Sequence, residues 1–176
     1  CVHVPWVIFS FEGRERDAHE VITDYRMRWN HDAKHHHPNG SYKNRCRYNN
    51  IEVKSIFRPS RFGGFLNPHV PKKRVDNSVV TVDSVHKKPR VSSSVMYPNL
   101  RENDIAHAFM ICNHYRFTSI DAIRRKCDSS SFNNYAKMAD DSVCVQDCES
   151  SDYPEVRDDR LFLKIKDLDI LPLSAP

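Results

Sequence analysis

The chain has 176 residues, 39% of them hydrophobic and 28% charged, with 27 Lys and Arg against 23 Asp and Glu for a formal net charge of +4. That is enough chain for one domain with a core of its own, and too mild a basic excess for a dedicated nucleic-acid binder. The opening apolar run, Val2 to Phe11, holds Pro5 and is too short to span a membrane.

No signal peptide is read in that run. Six cysteines (Cys1, Cys46, Cys112, Cys127, Cys144 and Cys148) permit three disulfides, but a chain of this length does not need such staples. The expectation is an intracellular protein with mostly free thiols, in which the sequon Asn39-Gly40-Ser41 goes unused.

In chain order, the β-branched and aromatic stretch Val2 to Phe11 predicts a strand, with Pro5 placing it near an edge or a bulge and Glu12-Gly13 ending it. Ala18, Val21, Ile22, Tyr25 and Trp29 recur at helical spacing and predict an amphipathic helix. Asn30 to Asn50 is polar, with a turn at Pro38-Asn39-Gly40. Alternation from Ile51 to Phe57 predicts a strand stopped by Arg58-Pro59-Ser60. Gly63-Gly64, Pro68 and Pro71 mark a loop holding two of only four glycines.

Strands are predicted at Ser78 to Val85 and Arg90 to Met96. Asn99-Leu100-Arg101-Glu102 resembles a capping box opening a second helix, with Ile105, Ala108, Phe109, Cys112 and Tyr115 or Arg116 on one face. Thr118 or Ser119 caps a third, short helix carrying Ile120, Ile123 and Cys127. After a polar segment with a short strand at Val143 to Val145, alternation of Leu161, Leu163 and Ile165 predicts a last strand, and the tail Leu171 to Pro176 cannot continue a ladder. The architecture expected is mainly β, an antiparallel β-sandwich with a few covering α-helices. It forms a single domain over 1–176, with 128–176 as a C-terminal segment.

Several groups invite a chemical reading. His31, Asp32, His35, His36 and His37 form a cluster in which His31 and His35 would share a helix face and a metal. Pro38-Asn39-Gly40 follows at once, so exposed histidines on a loop are the simpler reading. Cys127, Cys144 and Cys148 would supply thiolates to zinc, yet the second well-spaced pair of a zinc finger is missing. Cys112-Asn113-His114 places a nucleophile beside a base, but on a helix their side chains diverge by about 100°. No nucleophile elbow, phosphate loop, dinucleotide fingerprint or H-E-x-x-H is present. The chain is therefore read as no enzyme, with no catalytic residue and no metal site. Its basic clusters, Lys72-Lys73-Arg74, Lys87-Lys88 with Arg90, and Arg124-Arg125-Lys126, are read as solvated loops or helix ends.

Taken in order, these pieces resemble the polyhedrins of cypoviruses, proteins that crystallise inside infected insect cells around virus particles. The resemblance rests on Val2 to Val7 with Glu12-Gly13, on Asp24-Tyr25-Arg26 followed by Asn30-His31-Asp32, on Pro38-Asn39-Gly40, and on Ile51 to Ser60. The most distinctive matches are Val85-His86-Lys87-Lys88-Pro89 and Asp104-Ile105-Ala106 through Phe109, Cys112-Asn113 and Tyr115. The chain departs from the family in being shorter and in lacking the helical arm that clamps neighbouring units. It also lacks a strand after Gly13 and any counterpart to the segment beyond Cys127. Its end is loosely similar to that of baculovirus polyhedrin.

The resemblance implies trimers that pack into a cubic crystal in the cytoplasm of infected insect cells and shield virions until an alkaline gut dissolves it. The implied partners are copies of itself and the enclosed virus particles, with no membrane and no nucleic acid. No cofactor is required; some family members bind nucleotides, and no such site is mapped here. Alkaline dissolution fits residues that lose protons between pH ~8.5 and ~10, and Tyr25, Tyr42, Tyr48, Tyr97, Tyr115, Tyr135 and Tyr153 are the candidate tyrosines. The alternative is a small basic β-domain, such as a viral capsid protein, contacting nucleic acid through Lys72 to Arg74 and Lys87 to Arg90.

Overall fold

The structure is a computed structural model that describes residues 1–33, 51–64, 69, 71–72, 80–85, 96–97, 100–128, 145–146, 148–150 and 152–168. In chain order its elements are β1 (Val2–Phe9), α1 (Val21–Asp24), β2 (Met27–Arg28), β3 (Ile51–Ile56), a 3-10 turn (Pro59–Arg61), β4 (Val82–Asp83) and β5 (Met96–Tyr97). There follow α2 (Glu102–His107), β6 (Cys112–Tyr115), α3 (Ile120–Asp128), β7 (Val156–Arg157) and α4 (Arg160–Asp167). The fold is mainly β with a few helices. It divides into two compact units, Cys1–Val7 with Asn30–His114, and Ile8–Trp29 with Tyr115–Pro176.

In the first unit β1 is the organising strand. It pairs antiparallel with β3, from Val2 opposite Ile56 to Pro5 opposite Val53, and parallel with β4, Val2 beside Val82 and His3 beside Asp83. β5 extends β3 on its far side, and β6 also pairs with β1. Strand residues point alternately to the two faces, and β1 is buried on both, which is why its sequence is apolar apart from His3 instead of alternating. Val4, Val7, Val53, Leu100 and Ile105 fill this core, each worth about 1.5–3 kcal/mol of burial. The Asp104 carboxylate accepts the Arg101 amide at 3.0 Å and satisfies one of the donors that the start of α2 leaves open.

The second unit centres on Phe11, Tyr25, Phe117, Ile120, Ile123, Cys127 and Cys148. β2 pairs with Phe9 of β1 through Arg28 and with β7, Met27 opposite Arg157 and Arg28 opposite Val156. Ser119 Oγ accepts the Ala122 amide at 3.0 Å, the bond of an N-cap, and this places the apolar face of α3 on the core. Glu12 and Gly13 follow β1 with φ of 55° and 65°. The left-handed region costs a non-glycine residue about 1 kcal/mol. Asp152 offsets that cost by accepting Phe11 N at 3.1 Å and Ser10 Oγ at 2.9 Å, while Ser10 Oγ accepts Glu12 N at 2.8 Å.

Five sequence expectations are corrected. The helix expected from Ala18 to Trp29 is only Val21–Asp24, because Met27 and Arg28 are drawn into the ladder with β7. The second helix stops at His107, and Cys112 to Tyr115 forms β6 because it pairs with β1. The last strand is instead α4: Leu161, Ile165 and Leu168 share a face at i, i+4 and i+7, and Leu, Lys and Arg favour a helix. β1 is central, so of the edge or bulge expected at Pro5 the edge is excluded, and Pro5 is fully buried. Of the strands expected over 78–85 and 90–96, the described parts are β4 and Met96 at the start of β5. Val145 has helical backbone, while 143–144 and the tail 171–176 lie outside the described residues. Among the described residues no helix is long and apolar enough to cross a membrane.

Candidate functional site

In the first unit, three adjacent strands bring a serine, a histidine and an aspartate side by side. Ser55 on β3 lies opposite His3 on β1, and Asp83 on β4 lies beside His3 on the other flank. His3 is 8% and Asp83 1% exposed. The order is that of a hydrolase triad, so the direction of each hydrogen bond decides what the row can do. Ser55 Oγ donates its one proton to the His69 carbonyl at 2.6 Å. The 2.9 Å contact between Ser55 Oγ and His3 Nδ1 is therefore a bond that the imidazole donates. A catalytic serine must give its proton to the histidine, and here the bond runs the other way. Asp83 meanwhile accepts the Val85 amide at 2.9 Å and closes a turn. The row is a polar clip inside the sheet. Burial pushes the His3 pKa down, and nearby Asp83 opposes that shift.

Trp6 organises the neighbouring face. His114 stacks on its ring at 3.7 Å with the planes 9° apart, His69 lies tilted at 5.3 Å, and Lys54 Nζ is 5.1 Å from the ring centre. A contact of this last kind is worth about 0.5–1 kcal/mol or more. His69 Nδ1 is bonded to the Val53 carbonyl at 3.0 Å, which makes it the protonated nitrogen. Because Cys112 to Tyr115 is a strand, Cys112 and His114 point to one side and Asn113 to the other. The helical geometry expected for these residues is replaced, but the chemistry is not revived. Burial pushes the Cys112 thiol up, with Lys54 opposing, and a thiol held protonated is a poor nucleophile.

The second unit carries an open depression of about 290 Å³ bordered by Glu12, Arg14, Thr23, Asp24, Arg26 and Arg157. Each guanidinium is held from behind. Arg14 donates to the Asp24 carbonyl at 3.1 Å and lies over the Tyr25 ring. Arg26 donates to the Thr23 carbonyl at 2.8 Å and to Asp159 at 3.3 Å, and stacks on Phe162. Arg157 donates to Asp159 at 2.7 Å. Glu12, Asp24 and Asp159 balance the three arginines charge for charge, so the depression is an ion-pair network with no net field to draw an anion.

The remaining site residues read from sequence scatter. His31 is buried, and its backbone N–H donates to Glu102 at 2.7 Å; His35 to His37 lie outside the described residues. Cys127 is disulfide-bonded, so its sulfur is no thiolate for zinc. Cys148 and the half-buried Cys1 and Cys112 are thiols, and Cys46 and Cys144 lie outside the described residues. Among the described residues no group of three or more His, Cys, Asp or Glu is placed to hold a metal ion.

Of the basic clusters, the Arg124 to Lys126 group is engaged locally. Arg124 meets Asp121 at 3.1 Å and Glu15 at 3.7 Å, Arg125 meets Asp17 at 2.6 Å, and Lys126 donates to the Arg116 carbonyl at 2.5 Å. Hydrogen bonds from Thr118 and Ser119, with Arg125 beside them, bring the Asp17 carboxyl down to about 2. Lys73, Arg74, Lys87, Lys88 and Arg90 lie outside the described residues, as do Tyr42, Tyr48 and Tyr135. Tyr25 is fully buried and donates to the Thr118 carbonyl while accepting the Ala18 amide. The Ser55–His3–Asp83 row carries no sequence signal, since its members come from three strands far apart in the chain. Comparison with protein-family models, curated proteins and solved structures finds no match to this chain.

Proposed function

We propose that this chain is a non-enzymatic viral structural protein that assembles with copies of itself, through trimers, into an intracellular crystal that encloses virions. The crystal holds at neutral pH and dissolves in alkali. The observation that carries the reading is apolar surface left open to solvent. Val80 is 72% and Phe109 69% exposed in the first unit, beside Ile56, and Leu163 and Leu168 are more than half exposed in the second. Isolated apolar side chains on a surface are ordinary; Ile56, which is exposed, also lies in register with the half-buried Val2 and Val82 across three paired strands.

The resemblance to cypovirus polyhedrins, through the ordered motifs of β1, β3 and the α2–β6 segment, supplies the kind of assembly. Against catalysis, the Ser55–His3 hydrogen bond is donated by the imidazole, the reverse of what a nucleophilic serine needs. Alkali supplies a release. Ionising Cys112, whose proton burial retains, puts negative charge on a half-buried strand position.

The test is expression in insect cells followed by thin-section electron microscopy. Lattice fringes in cytoplasmic particles are expected. A chain that stays dispersed at high expression overturns the reading and moves nucleic-acid binding into first place.

A further inference from the structure

The depression on the second unit is balanced in charge, yet its two signs are not engaged alike. Arg157 on β7 lies opposite Met27 on β2, the residue after Arg26, and one carboxylate bridges the two guanidiniums. Arg157 Nε donates to Asp159 Oδ2 at 2.7 Å, and Arg26 Nη1 donates to Oδ1 at 3.3 Å. Arg26 Nε is taken by the Thr23 carbonyl and Arg14 Nη2 by the Asp24 carbonyl. A guanidinium carries five N–H donors. Nη1 and Nη2 of Arg157, Nη2 of Arg26, and Nε and Nη1 of Arg14 make no hydrogen bond among the described residues.

The carboxylates divide differently. Asp24 accepts the Glu20 amide and the Thr23 hydroxyl, each at 3.2 Å, and Asp159 holds its two arginines. Glu12 keeps its oxygens open: its ion-pair contact with Arg14 is 3.9 Å long, beyond hydrogen-bond reach, and its side chain is 33% exposed. Its backbone is left-handed, with φ 55°, in a turn that Asp152 and Ser10 fix. Such a conformation persists only where the surroundings impose it, and ligand clamps are one common setting. The donors are fixed in advance as well, with Arg26 4.1 Å from the Phe162 ring centre and Arg14 5.3 Å from that of Tyr25. Binding therefore has less side-chain freedom to remove.

We propose that this depression binds a zwitterion of the α-amino acid class. The ligand carboxylate takes the open Nη groups of Arg157 and Arg26, whose planar forks suit a group with two oxygens. Its ammonium meets Glu12, and a short apolar side chain lies on Met27. The balance of charge sets the specificity. A bare anion gains the guanidinium bonds but stands beside Glu12, and a bare cation faces three arginines. At about 290 Å³ the space is at the small end of ligand pockets, which run from roughly 300 to 1,000 Å³. The inference stands apart from the assembly proposed above, because it needs only the folded chain.

The experiment is equilibrium dialysis of the full-length protein against radiolabelled L-leucine at pH 7. Isocaproate and isoamylamine, each leucine without one of its charged groups, serve as competitors. Saturable binding of leucine is expected, with each competitor weaker than unlabelled leucine by about tenfold or more. Arg157→Met and Glu12→Gln should each weaken binding by about tenfold, the loss of a charge-assisted bond. Arg157→Lys, which keeps the charge without the fork, should restore it only in part. The Arg157 side chain is 64% exposed, so its variants probe the site with the core intact. No saturable leucine binding overturns the proposal, as does displacement by isocaproate as effective as by leucine. Affinity unchanged in both Arg157→Met and Glu12→Gln also overturns it.

Discussion

Asp158→Asn would strike a heavily engaged buried charge in the second unit. Asp158 Oδ2 accepts Arg28 Nε at 2.7 Å, with side-chain exposures of 7% for Arg28 and 4% for Asp158. Arg160 adds a bond from its Nε to Oδ1 at 2.8 Å and a second, close contact to Oδ2. Burial alone would raise this carboxyl, but the bonds from Arg160 and Arg28 outweigh it and bring the pKa down to about 2. Against an ordinary value of 3.8, that difference is worth about 2 kcal/mol at neutral pH.

The sign follows from proton uptake. The unfolded chain binds the proton more readily, so this stability is present above pH ~4 and is lost as pH falls toward ~2. Asp158→Asn also removes the negative charge that the buried Arg28 Nε faces at 2.7 Å, while its Nη1 bond to the Trp29 carbonyl at 2.9 Å stays in place. Removing one partner of a buried pair costs about 3–5 kcal/mol. Urea unfolding should therefore give a loss of about 3 kcal/mol at pH 7 and a flattened acid limb below pH 4. Arg28→Met should cost less when added to Asp158→Asn than when made alone. A loss under about 1 kcal/mol, or an unchanged acid limb, would refute the reasoning.

Three further outcomes are expected. His3→Asn keeps a donor for Ser55 and removes the titration; because burial lowers the His3 pKa, the parent should lose stability as pH falls below ~6.5, and the variant should lose less, by acid titration of unfolding. Cys112→Ser acts at the other end: burial raises the Cys112 pKa, so the parent's stability should fall as pH rises above ~9 while the variant's curve stays flatter there. Tyr25→Phe deletes the bonds to the Thr118 carbonyl and the Ala18 amide and should cost about 1–3 kcal/mol by urea unfolding; no change would mean that the phenol is idle.

The legible parts of the fold were those where local pattern and tertiary demand agree. β1 is legible because Val2, Val4, Trp6, Val7, Ile8 and Phe9 are β-branched or aromatic and favour a strand. β3 could be read from its alternation, and α3 from Ser119 followed by Ile120, Ile123 and Cys127 on one face. The failures came where short segments carry either pattern. Met27 and Arg28 continue a helical spacing, and only the distant Val156 and Arg157 make them a strand. Leu161, Leu163 and Ile165 alternate, yet Leu161, Ile165 and Leu168 also satisfy a helix, and with only β7 of two residues nearby in sequence no ladder claims them. Cys112 and Tyr115 fit the spacing of a helix face, yet the segment pairs with β1 as a strand. The Ser55–His3–Asp83 row was invisible, since it exists only through the register of three strands.

Assembly is the central claim, and powder diffraction of the insoluble fraction from expressing insect cells tests it most directly, with turbidity followed from pH 7 to 11. Sharp rings at pH 7 that vanish as the suspension clears between pH ~9 and ~11 are the predicted result. A clear lysate holding monomer or a small oligomer, or an amorphous pellet without rings, would contradict it.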